Sequence, residues 1–286
     1  VGNGPGEYKD IGSIDVNPAN GELYLKEMNR QQIHVYSLDG KFKHSFTFPE
    51  GKRMSRMCLF SPDYLIAEQE SKVPDDQDAN FYPYLLVSTR DGHLDSLDYV
   101  QKRNILVKLI VNAENHSYAY LLEPSLIRNG SRFYIGNPDS DTLFAMNPDR
   151  TLEPLLVRTP SHSEEGNKYG LFLRGAAGAY FFLTKQPMEV PMNSIESLDL
   201  KSEEWLYDCR TQEVCRYLLK NKDDASKRVE GIMFFCYPED CGLAVLKSED
   251  LMDAYEAGQL SGELKEIAAG LKADDNPVLM LIHFKK

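Results

Sequence analysis

The sequence predicts an all-β protein, a β-propeller built from four-stranded antiparallel blades. Short β-rich runs recur along the 286 residues and are separated by turns rich in Gly, Pro, Asn and Asp. The runs group in fours. A single four-stranded meander cannot bury both of its faces, so neighbouring sheets must cover one another, and stacking around an axis does this.

The first unit shows the pattern most clearly. Its β-rich runs are residues 11–16, 22–26, 32–37 and 41–48. In the last run Phe42, His44, Phe46 and Phe48 alternate with polar residues, which is the period of two typical of a half-exposed outer strand.

The same pattern recurs three more times, less regularly. The apolar inner runs, such as residues 133–135 and 180–183, are predicted to be buried on both faces. The predicted strands are residues 57–60, 64–67, 84–88 and 93–97 in the second unit, 121–127, 132–135, 142–145 and 152–157 in the third, and 171–173, 180–183, 205–208 and 214–218 in the fourth.

The last unit has three predicted strands, residues 231–235, 243–246 and 277–284, with a helical stretch between the second and the third. Ser248 and Ser261 are candidate N-caps. Apolar residues follow at helical spacing, which predicts two short helices inserted in the last blade. These residues are Leu251, Met252, Tyr255, Leu264, Ile267, Ala268 and Leu271.

This gives four full units and three strands of a fifth. Five-bladed closure is one solution. We expect six blades, with the sequence that precedes Val1 supplying an N-terminal blade that this chain lacks and the strand that completes the last one. No linker or shift in composition divides the chain, so residues 1–286 are read as a single propeller domain. Two β-sandwiches in tandem are the alternative architecture.

Composition limits the classes of partner. The net charge of -12 argues against nucleic acid, because phosphate binding needs a basic surface, and against adhesion to anionic lipid. No run of about 18 apolar residues is present, so no transmembrane segment is expected in this chain.

The chain has five cysteines, whose spacing does not match a zinc knuckle. Cys236 and Cys241 flank a turn, so a cross-hairpin disulfide is one interpretation if the compartment is oxidising. Buried free thiols are the interpretation we favour.

The opening segment resembles an NHL repeat. The resemblance rests on residues 4–8 (Gly-Pro-Gly-Glu-Tyr), 14–16, 21–25, 29–30, 33–36 and 39–42, and it fades after about residue 48. Over the whole chain, the blade spacing, the inserted helices and residues 274–279 are similar to six-bladed, mostly uncharacterised propeller proteins of Bacteroides and relatives. Many of those carry a lipoprotein signal.

The resemblance implies a secreted or cell-envelope protein, periplasmic or anchored to the outer membrane by a lipid on the missing N-terminus. It implies no established activity, which favours a non-enzymatic binding or scaffold propeller whose partner is an unknown protein or carbohydrate. Some similar propellers are lactonases or lyases that hold a metal on the central axis. The alternative is therefore a metal-dependent hydrolase or lyase with its site at the central channel.

Candidate ligand residues follow from the expected propeller. Loops that join the second and third strands of each blade share one face with the connections between blades. Glu27, Asn29, Arg30, Asp139 and Asp141 should therefore lie on a common rim, and the loop that carries His162 could face the central opening. The alternative is that Asn29 and Arg30 only satisfy their own turn.

No P-loop, dinucleotide fingerprint or nucleophile elbow is present in the sequence, and no cofactor is expected. Calcium is the one ion considered, because residues 75–78 (Asp-Asp-Gln-Asp) and 137–141 offer oxygen ligands, although turn formation explains both segments. Binding of a carbohydrate would use exposed aromatic residues, for which Phe81, Tyr82, Tyr84 and Tyr169 are candidates.

Overall fold

A computed structural model describes most of the chain. The description leaves out residues 1, 3, 5, 49–52, 70–82, 98–105, 113–116, 123–125, 137–139, 167, 192–201, 226–228, 230–231, 235–239 and 285–286. The architecture is all-β with two short helices, as predicted, and the described strands form six sheets, four of which have four strands. Contacts divide the chain into two compact units, Val1–Leu106 with Pro148–Arg150, and Val107–Asn147 with Thr151–Lys286.

The first unit contains two antiparallel meanders, with strand orders β1-β2-β3-β4 and β5-β6-β7-β8. They correspond to the first two units predicted from the sequence. Their strands are β1 (Ile11–Asn17), β2 (Glu22–Glu27), β3 (Gln32–Ser37), β4 (Phe42–Thr47), β5 (Met54–Ser61), β6 (Tyr64–Gln69), β7 (Tyr84–Ser88) and β8 (Leu94–Ser96).

Tight turns explain the register of the first meander. Gly21 and Gly40 have φ of +64° and +83°, a left-handed conformation that glycine adopts without steric cost. Strand β4 alternates between half-buried and exposed positions, as its sequence predicts, although Phe42 is itself exposed.

The two meanders of this unit share one core. Tyr24 and Ile33 from the first sheet pack in the same buried cluster as Met54, Leu65 and Val87 from the second. Burial of each such side chain stabilises the fold by about 1.5–3 kcal/mol, an upper estimate. Neither sheet could bury these side chains without the other.

Polar contacts fix the packing of these two sheets. The Asp15 carboxylate on β1 accepts a hydrogen bond from the backbone N–H of Leu59 on β5, with 2.5 Å between Oδ2 and N. At the other end of the strands, the Gln31 side chain accepts one from the N–H of Met54, at 2.7 Å. Strand β5 of the second sheet is therefore bonded to the first sheet near both of its ends, to β1 at Leu59 and to the residue before β3 at Met54.

The second unit contains the other four sheets, of which two are four-stranded meanders, β11-β12-β13-β14 and β15-β16-β18-β19. The second of these meanders matches the fourth predicted unit, and β12, β13 and β14 match the last three strands of the third. The first strand predicted for the third unit, residues 121–127, is wrong in its bounds, because residues 121–122 end β10 of another sheet and β11 begins at Leu126. Their strands are β11 (Leu126–Asn129), β12 (Arg132–Ile135), β13 (Thr142–Met146), β14 (Leu152–Val157), β15 (Tyr169–Ala177), β16 (Tyr180–Pro187), β18 (Glu203–Asp208) and β19 (Glu213–Arg216).

These two meanders also share a core. Tyr134 and Leu143 of one sheet pack with Leu173, Phe181 and Leu183 of the other. The rings of Tyr134 and Phe181 meet edge to face with centroids 4.8 Å apart, a favoured aromatic geometry. The central strands β12 and β16 are buried along most of their length, as predicted for inner strands.

A three-stranded sheet, β10-β9-β17, has no counterpart in the sequence analysis. It combines β9 (Leu106–Asn112) and β10 (Ser117–Leu122) with β17 (Glu189–Pro191). Strand β17 pairs with β9 in parallel, with Val190 opposite Leu109. The sequence predicts four full units and three strands of a fifth, whereas the described residues of this chain form six sheets.

The last sheet, β20-β21-β22, has three strands as predicted. It consists of β20 (Met233–Phe234), β21 (Cys241–Leu246) and β22 (Val278–His283), and the helices α1 (Ser248–Glu256) and α2 (Gly262–Ala269) lie between the last two strands in sequence. The Phe284 ring lies 5.1 Å from the Phe182 ring of β16, so this sheet adjoins the preceding one.

The helices pack on each other through Leu251, Leu260 and Leu264. Ser261 occupies the N-cap position of α2, without a side-chain capping bond. The prediction of Ser248 as the N-cap of α1 is wrong, because Lys247 holds that position. The Ser248 hydroxyl instead donates to the carbonyls of Asp275 and Asn276, which fastens the helix to the chain entering β22.

Neither described helix is long and apolar enough to cross a bilayer.

Candidate functional site

Three of the predicted rim residues lie at the end of β2 and in the turn that follows it. Glu27 is only 1% exposed at its side chain. Its Oε1 accepts a hydrogen bond from the backbone N–H of Lys9, at 2.9 Å, and lies 3.8 Å from Nε2 of His34. Its Oε2 lies 3.6 Å from Nε of Arg30. Glu27 therefore lies among a backbone donor, the His34 ring and the Arg30 cation, all of its own unit.

Asn29 and Arg30 contact neighbouring segments of the same sheet. The Asn29 side chain donates to the Asp10 carboxylate at 2.8 Å, and Arg30 faces Glu27. Asn29 thus bonds to the segment that precedes β1 and Arg30 to the last residue of β2, and a role of either residue in ligand contact stays a prediction. Burial lowers the pKa of His34, against the opposing effect of Glu27 and with a smaller contribution from Arg30.

The other predicted residues belong to the second unit, where Asp141 and His162 are brought together. The Asp141 carboxylate accepts a hydrogen bond from the backbone N–H of His162 at 2.6 Å. Its backbone carbonyl accepts another from the N–H of Arg158, at 2.7 Å. Asp139 lies outside the described residues. Asp141 therefore anchors the loop of residues 158–166, which contains His162.

The anchored loop is built from its own polar side chains. The Ser161 hydroxyl accepts a hydrogen bond from the N–H of Glu164 at 3.1 Å, and the Glu164 carboxylate accepts one from the N–H of Ser161 at 2.9 Å. Gly166, with a φ of +65°, closes the turn. The His162 side chain is buried, and its Nε2 has no hydrogen-bond partner in the part of the chain described here. This local structure holds Glu165 in place.

Glu165 is the centre of a network of charges that the sequence analysis did not identify. Arg158 donates to its Oε2, and the Lys185 ammonium on β16 donates to its Oε1 at 2.5 Å. Arg158 also donates to the Tyr169 carbonyl at 3.2 Å, while the Lys185 ammonium lies 5.0 Å from the Tyr169 ring centre. The hydrogen bond from Lys185 lowers the pKa of Glu165, partial burial opposes this, and Arg158 adds to the lowering.

These charges line one part of a cleft of about 480 Å³, formed by β14, the loop and the β15-β16-β18-β19 sheet. Its apolar wall consists of Leu156, Leu171, Leu183 and Trp205. Trp205 is the only tryptophan in the sequence. Its indole Nε1 is buried and has no hydrogen-bond partner among the described residues, and the Arg216 guanidinium lies 5.7 Å from its ring centre. The cleft thus combines an apolar wall with a fixed pair of cations.

A second cavity, of about 440 Å³, lies elsewhere on the same two sheets. Arg132, Tyr134, Glu153 and Cys209 are among its lining residues. The cleft at Trp205 is the better candidate site, because its charged groups are held in place by one another and by the anchored loop.

The remaining predictions have mixed outcomes. Tyr84 is fully buried in the core, whereas Tyr169 is exposed and borders the charged network. Phe81, Tyr82 and the acidic residues 75–78 lie outside the described residues. Cys58, Cys209, Cys215 and Cys241 form no disulfide with one another, but only Cys241 is buried, so the interpretation of buried thiols is correct for that residue alone. Cys236 lies outside the described part, so its pairing with Cys241 stays untested.

Two features of the sequence pointed to this site, and a third could not be identified from it. The sequence indicates this loop through His162, whereas the loop residues that line the cleft include Arg158 and Glu165. A single tryptophan in a predicted strand was a further indication. Lys185 could not be identified, because its pairing with Glu165 depends on how the strand and the loop meet.

Comparison with known families and structures places the chain among proteins of the same fold. The profile of the family described as domain of unknown function DUF4934 matches residues 1–283. No curated protein matches the chain.

Among solved structures, one similar protein is from Bacteroides fragilis and is described as exported. It has 14% identity and a TM-score of 0.65, and the alignment covers 100% of this chain and 80% of that one. Another is a member of the DUF4221 family from Bacteroides vulgatus, with 8% identity, a TM-score of 0.50 and coverage of 98% and 81%. At these identities the similarity shows the fold alone.

Proposed function

Since the chain belongs to the DUF4934 family, we propose that it is a non-enzymatic binding propeller of the bacterial cell envelope. The cleft beside Trp205 is its proposed ligand site. The observation that carries the proposal is the network of Glu165, Arg158 and Lys185 at the edge of an apolar wall.

The propeller is part of the proposal. The described residues form six sheets, four of them four-stranded meanders, and neighbouring sheets within each unit share cores, as a ring of blades requires. The envelope location is supported by the exported description of the Bacteroides fragilis protein of similar fold. A net charge of -12 suits a soluble surface that does not adhere to nucleic acid or to anionic lipid.

The chemistry of the cleft favours binding over catalysis. Glu165 forms ion pairs with Arg158 and Lys185, and its pKa is lowered, so its carboxylate stays ionised. A carboxylate of this kind is poorly suited to act as a general base near neutral pH. The network carries two positive charges against one negative charge. A ligand with an apolar body and a carboxylate would place the body on the leucines and Trp205 and its anionic group beside Arg158 or Lys185.

This ligand class can be tested with the protein's own fluorescence. Because Trp205 is the only tryptophan, its emission reports the cleft directly. The titrants are short apolar peptides with a free carboxyl terminus, the same peptides amidated, and neutral oligosaccharides. We expect saturable changes in emission with the free acids and binding at least about tenfold weaker with the amides, which corresponds to the loss of one charge-assisted hydrogen bond.

Two variants make the experiment decisive. Lys185→Met should abolish the saturable change with the free acids, whereas Lys168→Met, which alters an exposed lysine in the same region, should preserve it. The proposed ligand class is wrong if acids and amides bind equally or if only the oligosaccharides bind. The proposed site is wrong if Lys185→Met binds like the wild type, or if none of the titrants changes the emission.

A further inference from the structure

A second group of chemically active side chains lies in the last sheet, in residues that the proposed cleft does not use. Cys241 begins β21 and is paired directly with His283, near the end of β22. Asp240 precedes Cys241, and its carbonyl accepts a hydrogen bond from the N–H of Phe284 at 2.8 Å. The β-ladder therefore holds the three residues side by side.

Their donor atoms converge. Cys241 Sγ lies 3.0 Å from Nδ1 of His283 and 3.7 Å from Oδ1 of Asp240. One ligand atom from each of the three residues lies within 4.8 Å of the others. Ligand atoms around a tetrahedral zinc ion, with bonds of about 2.1–2.3 Å, are separated by roughly 3.5 Å. Small side-chain rotations would bring the three atoms to that spacing.

The donor set selects the type of metal. A thiolate, an imidazole and a carboxylate together suit zinc and similar borderline-soft divalent ions, whereas calcium and magnesium require a shell of oxygen atoms. Cys241 is fully buried, Asp240 is partly buried and His283 is exposed. An ion held here would rest against the sheet on the thiolate side and have its fourth position open to solvent.

We propose that Asp240, Cys241 and His283 form a binding site for Zn²⁺. On binding, the Cys241 thiol loses its proton to solvent and a bond forms between Zn²⁺ and the thiolate. The His283 imidazole binds through Nδ1 in its neutral form, and the Asp240 carboxylate supplies the third ligand. The site lies on strands adjacent in the sheet, so the ladder aligns Cys241 with His283 before metal arrives.

Cobalt is a suitable probe, because Co²⁺ occupies zinc sites and its bond to a thiolate absorbs light in the near ultraviolet. The full chain, reduced and freed of metal, is titrated with Co²⁺ and then with Zn²⁺. We expect a thiolate-to-cobalt absorption band that saturates at one equivalent of Co²⁺ and disappears when Zn²⁺ displaces it. The band reports coordination by sulfur and does not depend on any activity.

Variants assign the ligands. Cys241→Ser should remove the band, and His283→Gln, at an exposed position where the fold tolerates a change, should weaken Co²⁺ binding on the order of 100-fold or more. Cys215→Ser alters an exposed thiol on β19 and is the matched control, which should retain the band. Circular dichroism of each variant checks that the sheet is intact.

The proposal is overturned if the wild type shows no thiolate-to-cobalt band at a few equivalents of metal. It is also overturned if the band survives in Cys241→Ser or if His283→Gln binds Co²⁺ as tightly as the wild type. Then the short distance between Cys241 and His283 is a simple hydrogen bond. The experiment does not involve the cleft at Trp205, so neither result bears on the ligand-binding proposal.

Discussion

The side chain of Asn17, at the end of β1, donates a hydrogen bond to the backbone carbonyl of Pro62, in the turn between β5 and β6, at 2.9 Å. Asn17 is completely buried. Asn20 and Thr89 donate to the same carbonyl, at 2.9 and 3.2 Å. This carbonyl is the point where the first two sheets are joined at one end, in addition to their shared apolar core.

Replacing Asn17 by Ala should lower the free energy of unfolding by about 1–2 kcal/mol, because it removes a buried hydrogen bond between the two sheets. Urea denaturation measures the change. Asn20→Ala is the control, since its exposed side chain donates to the same acceptor, and it should cost less than about half as much. Equal costs for the two variants would contradict a special role for the buried amide.

The environment of His34 predicts a dependence of stability on pH. Burial lowers its pKa below the ordinary value of 6.5, so the folded state binds this proton less readily than the unfolded state. The stability contributed by the neutral ring is complete above about pH 6.5 and is lost as the pH falls below that value. In His34→Leu this contribution is absent.

The measurement is the urea midpoint of both proteins between pH 8 and pH 5. The wild type should lose more stability than His34→Leu over the acidic half of this range, while the two curves run parallel above pH 7. If the curves are parallel throughout, the ring does not titrate differently in the folded protein and the prediction is wrong.

The ionised Glu165 carboxylate should also make the free energy of unfolding depend on pH. Its folded pKa is held below the usual 4.5, chiefly by Lys185, so its contribution is present at neutral pH and is lost as the pH falls below about 4.5. Glu165→Gln should cost about 2 kcal/mol at pH 7, because Arg158, only 8% exposed, loses its charged partner. Near pH 3 the variant and the wild type should differ much less.

The neighbouring residue provides the control for Glu165. Glu164 is exposed, and among the described contacts its carboxylate accepts only the N–H of Ser161, so Glu164→Gln should change the stability by less than about 0.5 kcal/mol at either pH. A large effect of Glu164→Gln would mean that the loop itself, rather than the pairing with Lys185 and Arg158, determines stability.

The two helices offer a test of their packing. Leu264 on α2 is buried against α1, so Leu264→Ala should cost about 2–4 kcal/mol, measured by thermal unfolding or as faster amide exchange in both helices. Ile267, one turn further along α2, is 39% exposed, and Ile267→Ala should cost less than about 1 kcal/mol. Similar losses for the two variants would contradict the orientation of α2.

The meanders could be predicted because each hairpin is determined by residues that are close together in the sequence. Gly21, Gly40 and the alternation in β4 specify hairpins between strands that are adjacent in the chain. The sequence also predicted the helices, but not that Tyr255 and Ile267, placed on the apolar face by their spacing, are exposed. A short helix contacts its neighbours over only part of its apolar stripe, and the sequence does not reveal which part.

Part of the candidate site was beyond prediction for the same reason. His162 and Asp141 were identified as polar loop residues, and they do meet, but through the backbone N–H of His162 rather than through its ring. Glu165 and Lys185 are separated by a whole strand, β15, and their pairing exists only after β15 and β16 have formed. Cys241 and His283 likewise become neighbours only in the paired sheet.

The parallel pairing of β17 with β9 sets an order of events for this chain. Every residue from β10 to β16 is synthesised before the strand that completes the sheet of β9. Until then one edge of β9 has unpaired N–H and C=O groups, which can recruit strands of other chains. In a chain truncated before Glu189, that edge of β9 would stay unpaired. Such a fragment should aggregate, even though its hairpins can still form.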